Sequence, residues 1–261
     1  MREYESFSSL NTYRRCGMQY YFMYCEGIKA PPSVALIQGS SIHRGQEFNF
    51  KQKIESKTDL PLDDVLDCVS DEFEARKTEV EKWENTDPGK AKDETICVAE
   101  HVHTTHNPTI QPVEVEVEYL TECEGVQLKT IIDLIDIDGF IRDVKVVGRA
   151  KSQSDADNDM QLTIYSYVTG LKNVVFDCFI KARESEMRFK NGCLTVHSKK
   201  KPRVVTLKST RTEKDWQRLA NIVPALLKGI KNEVFLPADP TWWGCSERFC
   251  GYWHICKYGG K

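Results

Sequence analysis

The sequence pattern changes from helical to strand-like at residue 111, and the strand pattern continues to residue 147. This stretch constrains the fold more than any other part of the chain. The segment QPVEVEVEYLTE (111–122) alternates apolar and polar residues, which predicts a strand with one buried face. The segments VQLKTIIDLIDI (126–137) and FIRDVKVV (140–147) predict two more strands, with a hairpin turn at Asp138-Gly139. Three consecutive strands require a sheet, and the remaining chain must cover it.

Helical patterns precede and follow these strands. Before them, we predict one or two short helices in residues 6–27, a helix from about residue 40, and helical spacing through residues 62–105. After them, we predict a helix at about 157–169, strands at 173–182, 193–198 and 203–209, and a helix at 211–233. This order predicts an α/β core with a helical N-terminal elaboration.

Composition limits the class of protein without giving a function. The 36 basic and 39 acidic residues give a formal charge of −3, so a nucleic-acid surface would have to be a local patch. The start has no apolar run suited to a signal peptide, and no stretch reaches about 18 apolar residues, so we expect a cytoplasmic protein. In that reducing compartment, clustered cysteines are better interpreted as ligands, and the isolated ones as ordinary buried residues.

Two aspartates and a lysine in the predicted hairpin carry the strongest chemical signal. A three-residue loop with Gly139 in the left-handed conformation would set Asp133 across from Asp143 and pair apolar residues with each other. A two-residue loop would send the acids to opposite faces, so we prefer the first register. Two opposed carboxylates can hold one Mg²⁺ or Mn²⁺, with Lys145 on the same face. The alternative is a surface salt bridge from Asp143 to Lys145 or Arg142.

These residues resemble the motifs of the PD-(D/E)xK nucleases of the RecB type. The matching elements, in the family's order, are Gly39 and His43 in QGSSIHRGQE, then Asp133, then Asp143-Val144-Lys145, then Gln161 and Tyr165 in DMQLTIYSY. The resemblance implies a restriction-endonuclease-like mixed β-sheet core flanked by helices. It also implies that His43, Asp133, Asp143 and the carbonyl of Val144 hold Mg²⁺ or Mn²⁺. In the same way, Lys145 would help to activate the attacking water, and Gln161 and Tyr165 would reach the site from one helix face.

Three cysteines near the end of the chain extend the resemblance. A subset of these nucleases, including the AddB nuclease domain and the CRISPR-associated RecB-like exonucleases, carries a 4Fe-4S cluster on one early and three late cysteines. Cys16 matches the early position, and Cys245, Cys250 and Cys256 match the late ones, although their first spacing is C-x₄-C where the family has C-x₂-C. Four thiolates suit zinc equally well by count, so zinc stays open as the alternative.

The resemblance predicts the organisation of the chain and its activity. We expect a single nuclease domain over 1–261, with the nuclease motifs in 39–182 and a cluster-binding subdomain formed by 1–30 and 235–261. The expected activity is metal-dependent DNA hydrolysis, with exonuclease action favoured and single strands or ends as substrate. A helicase or a recombination or integration protein would be a separate partner chain. The alternatives are a catalytically silent DNA-binding or assembly module of the same fold, and a zinc-stapled nuclease that acts on RNA.

Three further patterns each have a functional and a structural interpretation. The basic segment HSKKKPR (197–203) would contact phosphates if it faces DNA, and is otherwise a solvated loop. The aromatic residues at 20–24 and 242–243 would stack on bases or, as we prefer, pack around the joined termini. The histidines of EHVHTTH (100–106) resemble a metal tract, but we expect a solvated helix end.

Overall fold

The computed structural model describes residues 3–83, 86–123, 125–181, 188–190, 193–195 and 201–259. The strands in this part of the chain are β1 (Tyr4–Ser6), β2 (Pro112–Cys123), β3 (Val126–Asp136), β4 (Ile141–Val147), β5 (Asn173–Ile180), β6 (Arg188–Lys190), β7 (Cys193–Thr195) and β8 (Arg203–Thr210). The α-helices are α1 (Phe7–Arg15), α2 (Gly17–Tyr20), α3 (Val34–Ser56), α4 (Leu62–Arg76), α5 (Pro88–Thr105), α6 (Gln153–Asn158), α7 (Met160–Thr169) and α8 (Glu213–Lys231). A π-helix, Tyr21–Cys25, continues α2, and short 3₁₀ turns follow α4 and α5.

A six-stranded mixed sheet forms the centre of the molecule. Strands β3, β4, β5 and β8 are neighbours in that order, with β4 and β5 parallel and the outer two pairings antiparallel. Helices α3, α4 and α5 pack on one face of the sheet, and α6 and α7 pack on the other, with α1 and α8 against α7. The predicted fold class, a mixed sheet flanked by helices, is confirmed. No helix in the described ranges is both long and apolar enough to cross a membrane.

The hairpin between β3 and β4 has the register that we preferred from the sequence. Ile135 pairs with Ile141, as predicted, and Gly139 adopts a left-handed conformation with φ of 75°. Its N–H donates to the carbonyl of Asp136 at 2.9 Å, which closes the turn. The pairing ends at Leu134 and Arg142, so Asp133 and Asp143 are the next residues of the two strands, where the ladder opens.

A buried ion-pair network fixes the closed end of this hairpin. The Asp136 carboxylate accepts hydrogen bonds from the N–H groups of Asp138 and Phe140 and from Arg142 Nε, the last at 2.7 Å. Arg142 Nη1 also donates to Asp177 on β5 at 2.8 Å. Because both oxygens of the Asp136 carboxylate have fixed donors, this network holds the turn of the hairpin in place.

The two edges of β3 pair with different numbers of strands, and a groove opens at the edge that is shared by two strands. One edge pairs with β2 along almost its whole length. The other edge is shared, since β1 pairs in parallel with residues 127–129 and β4 pairs with residues 134–135. None of the strand pairs described at this edge involves residues 130–133, so the sheet parts between β1 and β4. Asp133 lies at the point where the strands separate.

Two sequence predictions need correction. The predicted helix at 157–169 is two helices, because Ser152 and Asp159 each act as an N-cap and start α6 and α7 separately. Two of the three histidines at 100–106, His103 and His106, are not solvated as predicted. His103 is buried with Nε2 2.9 Å from the Leu60 carbonyl, and His106 lies 3.3 Å from the buried Asp177. Most of the basic segment at 197–203 lies outside the described residues.

Candidate active site

Three sequence-predicted groups meet where β3 and β4 separate. His43 lies on α3, and its Nε2 is 3.1 Å from the Val144 carbonyl oxygen. The other ring nitrogen, Nδ1, is 3.7 Å from Asp133 Oδ2. Asp133 Oδ2 in turn accepts the backbone N–H of Val144 at 3.0 Å. The structure therefore brings His43, Asp133 and Val144 together, as the sequence motifs predict.

Asp143 is the most unusual group of the site. It is completely buried, with 0% exposure, and neither carboxylate oxygen has a hydrogen-bond partner. Lys145 Nζ lies 2.7 Å from Oδ2 as an ion pair. Burial raises the pKa of Asp143, with a further increase from the charge of Asp133, and the Lys145 ammonium opposes both. Burial alone would lower the pKa of Lys145, but the adjacent Asp143 carboxylate outweighs it and the net shift is upward.

Helix α7 supplies the groups that hold Lys145 in place. Lys145 Nζ donates to Gln161 Oε1 at 3.0 Å, and Gln161 Nε2 donates to the Tyr165 hydroxyl at 2.5 Å. Tyr165 is buried, and burial raises the pKa of its hydroxyl well above the ordinary value. The spacing of one helical turn between Gln161 and Tyr165 makes this chain of contacts, as the sequence predicts. These two hydrogen bonds hold the Lys145 ammonium group in the lining of the groove.

The residues present fit a divalent cation. Adjacent ligands around an octahedral ion at about 2.1 Å lie about 3.0 Å apart, which matches the 3.1 Å between His43 Nε2 and the Val144 oxygen. The buried Asp143 carboxylate pairs with Lys145 through Oδ2, whereas Oδ1 has no hydrogen-bond partner and is available to a metal ion. Imidazole, carboxylate and carbonyl donors suit Mn²⁺ as well as Mg²⁺.

Sequence reasoning missed Glu116 on β2. Glu116, His43 and Asp133 each offer one ligand atom, and these three atoms lie within 4.8 Å of one another. Asp143 is not part of this group of three. Burial raises the pKa of Glu116 to about 7, and the charge of Asp133 adds to the increase. Glu116 also has a positive φ of 53°, which is rare for a residue with a side chain. In the alternating sequence EVEVE it looks like any solvent-facing glutamate, so only the structure reveals it.

The four predicted cluster cysteines come together in a second pocket, separate from the groove of the site. Cys16, Cys245, Cys250 and Cys256 line one pocket between the N-terminal helices and the last turns of the chain. Burial raises the pKa of the Cys245 thiol, and the other three thiols add to the increase. Gln19 Nε2 donates to Cys250 Sγ at 3.4 Å. Among the isolated cysteines that are described, only Cys178 is buried, so the expectation of burial is wrong for the exposed Cys25 and Cys97.

The aromatic residues around this pocket pack the two ends of the chain together. Tyr20 stacks on Phe235 with ring centroids 6.0 Å apart, and Phe22 stacks on Tyr252 at 5.5 Å. The Tyr252 hydroxyl donates to the Ile28 carbonyl at 3.0 Å. The backbones also approach closely, since a Cβ on Gly17 would lie 2.6 Å from the nitrogen of Leu236. These contacts favour the packing interpretation of the aromatic residues over base stacking.

A groove of about 820 Å³ leads to the site. Its walls come from β1 and the start of α1, from α3 and from the unpaired part of β3. Its apolar lining residues include Tyr4, Phe7, Tyr24, Leu36 and Ile131. The cations among the described lining residues are Arg44, Lys129 and Lys145, and each lies within ion-pair distance of a carboxylate. The groove therefore offers apolar and ring surfaces more than free positive charge.

The fold and the grouped site residues together define a restriction-endonuclease-like protein. The profile of the PD-(D/E)XK nuclease superfamily matches residues 5–257, so the chain belongs to that superfamily.

One comparison with a solved structure agrees with this fold. The chain is similar to a protein from Eubacterium rectale that is provisionally described as an exonuclease, with a TM-score of 0.56, 14% identity, and coverage of 93% of this chain and 87% of that one. It also aligns with SSO0001 at a TM-score of 0.39 and 16% identity, covering 82% of this chain and 97% of that one. The alignment with LHK-Exo in complex with dAMP has a TM-score of 0.32 and 13% identity, covering 77% of this chain and 91% of that one. No curated protein matches the chain.

Proposed function

We propose that this protein is a metal-dependent deoxyribonuclease that acts as an exonuclease. The observation that carries the proposal is Asp143, a fully buried carboxylate that pairs with Lys145 through Oδ2 and leaves Oδ1 without a hydrogen-bond partner. A structural ion pair does not require a second carboxylate, a histidine and a carbonyl oxygen at the same place. A hydrolytic site for phosphodiesters uses all of them.

His43, Asp133, Asp143 and the Val144 carbonyl would hold Mg²⁺ or Mn²⁺. When bound, such an ion supplies Lewis-acid activation of water and stabilises charge that develops on the phosphate. Lys145 is held by Asp143 and Gln161 with its ammonium directed into the groove, so it can orient the attacking water and stabilise the phosphate oxygens. The Tyr165 hydroxyl limits the rotation of Gln161 and thereby positions the lysine.

The groove supports single-stranded DNA or strand ends as the substrate. Tyr4 and Tyr24 can stack on unpaired bases, and the exposed Leu36 and Ile131 can contact base faces. Duplex binding relies mainly on phosphate contacts from free cations, whereas the described cations of this groove are paired with carboxylates. A substrate that enters by an end suits exonuclease action.

The four cysteines would hold a 4Fe-4S cluster with a structural role. A tetrahedral zinc ion with bonds of about 2.3 Å holds its thiolates about 3.8 Å apart. In the part of the chain that the structure describes, the only set of His, Cys, Asp or Glu ligand atoms within 4.8 Å of one another is His43, Glu116 and Asp133. No three of the thiols therefore reach the spacing of a zinc site. A cluster binds each thiolate to a different iron atom and holds the sulfurs farther apart.

A cleavage assay with end-labelled single-stranded DNA, duplex DNA and RNA, with and without Mn²⁺, tests the proposal. We expect metal-dependent shortening of single-stranded DNA from an end, with activity lost in Asp133→Ala and Lys145→Ala. Asp138→Asn is the matched control, because Asp138 lies in the same hairpin but is exposed at its far end. A folded wild-type protein that cleaves none of these substrates would support the silent binding module, and a preference for RNA would refute DNA as substrate.

The cluster is tested separately. Anaerobically purified protein is expected to be brown, with absorbance at about 400 nm; colourless protein with one equivalent of zinc would refute the iron–sulfur proposal. The proposal also includes a cytoplasmic location and a separate helicase or recombination partner that would supply single strands. The partner follows from the sequence resemblance, and the location agrees with the interpretation of the clustered cysteines as ligands in a reducing compartment.

A further inference from the structure

One arginine at the end of β8 contacts the chain at both ends of α7. Arg211 directly follows β8 and is fully buried, with 1% exposure. Its backbone N–H donates to the carbonyl of Lys172, just after α7, at 2.8 Å. Its side chain lies at the other end of the helix, where α6 stops and α7 starts. The same residue therefore holds the segments before and after this helix.

Each nitrogen of the Arg211 guanidinium has an acceptor at or beside the α6–α7 junction. Nη2 donates to the carbonyl of Ala156 in α6 at 2.7 Å and to the carbonyl of Asp159, the N-cap of α7, at 3.3 Å. Nε donates to Thr163 Oγ1 in α7 at 2.9 Å, and Nη1 donates to Ser209 Oγ in β8 at 2.9 Å. Because the guanidinium is planar and its donor directions are fixed, these bonds set where α7 begins relative to the sheet.

The cost of burying Arg211 indicates a geometric role. All of these acceptors are hydroxyl or carbonyl oxygens, and burying a guanidinium without a paired carboxylate is costly. An apolar side chain of similar volume fills such a space without that cost, but it makes no directional bonds. The guanidinium instead fixes one position of the junction against β8.

We infer that Arg211 is a positioning residue for the hydrolysis and that it acts through Gln161. This inference rests on the proposed nuclease function. Gln161 is the second residue of α7 and lies midway between Asp159 and Thr163, the two residues of this helix start that Arg211 binds. Gln161 Oε1 accepts a hydrogen bond from Lys145 Nζ at 3.0 Å. A shift of the start of α7 therefore moves the acceptor that holds Lys145.

The residues proposed to hold the metal ion lie on other elements. His43 is on α3, Asp133 is on β3, and Asp143 and Val144 are on β4, whereas Arg211 binds α6, α7 and β8. Loss of the Arg211 contacts should therefore slow the step that needs Lys145 without weakening Mn²⁺ binding.

Cleavage kinetics of conservative variants of the full chain, with its cluster intact, test the inference. Thr163→Val removes the acceptor of Nε at nearly constant shape, whereas Thr163→Ser keeps a hydroxyl there. Since this hydroxyl also donates to the Asp159 carbonyl, Arg211→Lys is needed to show the effect of the arginine itself. We expect Thr163→Val and Arg211→Lys to lower kcat by about tenfold, with KM and Mn²⁺ affinity unchanged. Thr163→Ser should keep the wild-type kcat, and so should the matched control Arg218→Lys at an exposed position of α8.

A double-mutant cycle separates positioning from a general structural role. If Arg211 acts through Gln161, then Arg211→Lys should not lower kcat further in a Gln161→Ala background. Effects of the two substitutions that multiply would overturn the inference. A parallel fall of kcat, DNA affinity and Mn²⁺ affinity in Arg211→Lys and Thr163→Val would indicate a structural role alone and would also overturn it.

Crystal structures of Arg211→Lys and Thr163→Val give a readout that needs no activity. We expect the hydrogen bond between Lys145 and Gln161 to be lost and the ion pair between Lys145 and Asp143 to remain. A retained bond between Lys145 and Gln161 in both variants would overturn the inference even if the wild type cleaves DNA. Its loss would support the placement of α7 by Arg211 even if the wild type cleaves no DNA, and the proposed function would then be at fault.

Discussion

Two glycines of α3 allow the packing of the site to be tested within one helix. Gly45 faces α4, and a Cβ there would lie 2.4 Å from Val69 Cγ2. Val69 is itself fully buried at 0% exposure and has nowhere to move. A Cβ on Gly39 would meet no atom within 4 Å, because that position faces the groove. His43 lies between the two glycines on the same helix.

We expect the two alanine substitutions to change the free energy of unfolding in opposite directions. Replacing a helical glycine by alanine gains about 1 kcal/mol from helix propensity, and Gly39→Ala should show this gain. Gly45→Ala gains the same amount but also overpacks a rigid contact, which costs about 1–3 kcal/mol and forces α3 away from α4. We expect Gly45→Ala to be about 2–3 kcal/mol less stable than Gly39→Ala, near the upper part of that overpacking range.

Urea unfolding followed by circular dichroism measures the difference, and manganese affinity gives a second readout. Movement of α3 shifts His43 relative to Val144, so Gly45→Ala should also bind Mn²⁺ more weakly. If Gly45→Ala is as stable as Gly39→Ala, then Val69 does not confine α3, and the account of how the helix positions His43 is refuted.

The remaining predictions concern the site and the cluster. Saturating Mn²⁺ at about 100 times its Kd should stabilise the protein by about 2.7 kcal/mol, and a melting curve of Asp143→Ala should show a smaller shift; an equal shift would contradict binding there. Lys145→Met should abolish cleavage but keep Mn²⁺ binding, and an active variant would remove the lysine from the mechanism. Cys16→Ser should lose absorbance at about 400 nm and melt at a lower temperature, so an unchanged spectrum would exclude Cys16. In metal-free protein, the pKa of Glu116 rises from 4.5 to about 7 on folding, so its contribution to stability falls as the pH rises between these values. Urea unfolding of Glu116→Gln at a series of pH values should show no such dependence of the free energy of unfolding. The same slope against pH in the variant and the wild type would contradict the raised pKa of Glu116.

The hairpin was predictable from sequence because its information is local. Matching apolar residues across the turn selects one register, and Gly139 permits the left-handed residue that this register needs. Asp133 and Asp143 then follow without knowledge of any other element. The helical pair Gln161 and Tyr165 was predictable for the same reason, since one turn of helix sets their spacing.

Glu116 and the histidines of α5 could not be predicted from the pattern of their own segments. Glu116 becomes part of the site through the register of β2 on β3 and its positive φ, neither of which distinguishes it from Glu114 and Glu118 in the alternating sequence. The His106 side chain is only 11% exposed because the end of α5 packs near β5, where the ring contacts Asp177 and Phe179. A helical or strand period gives the face of an element, but not the element that covers it.

The terminal cysteines and the groove are physically connected through the first residues of the chain. Strand β1 pairs with β3 and forms a wall of the groove, and α1 follows it directly and ends at Cys16. The Tyr13 hydroxyl on α1 also donates to the Val234 carbonyl at 2.6 Å, so the tail of the chain holds α1 in place. A three-residue strand is too short to stay paired by itself. We therefore expect the cysteine site to support the groove by holding β1 against β3. Loss of the cluster should then weaken DNA binding more than Mn²⁺ binding, because His43, Asp133 and Asp143 all lie on other elements. Equal losses of both would indicate global unfolding and would refute this connection.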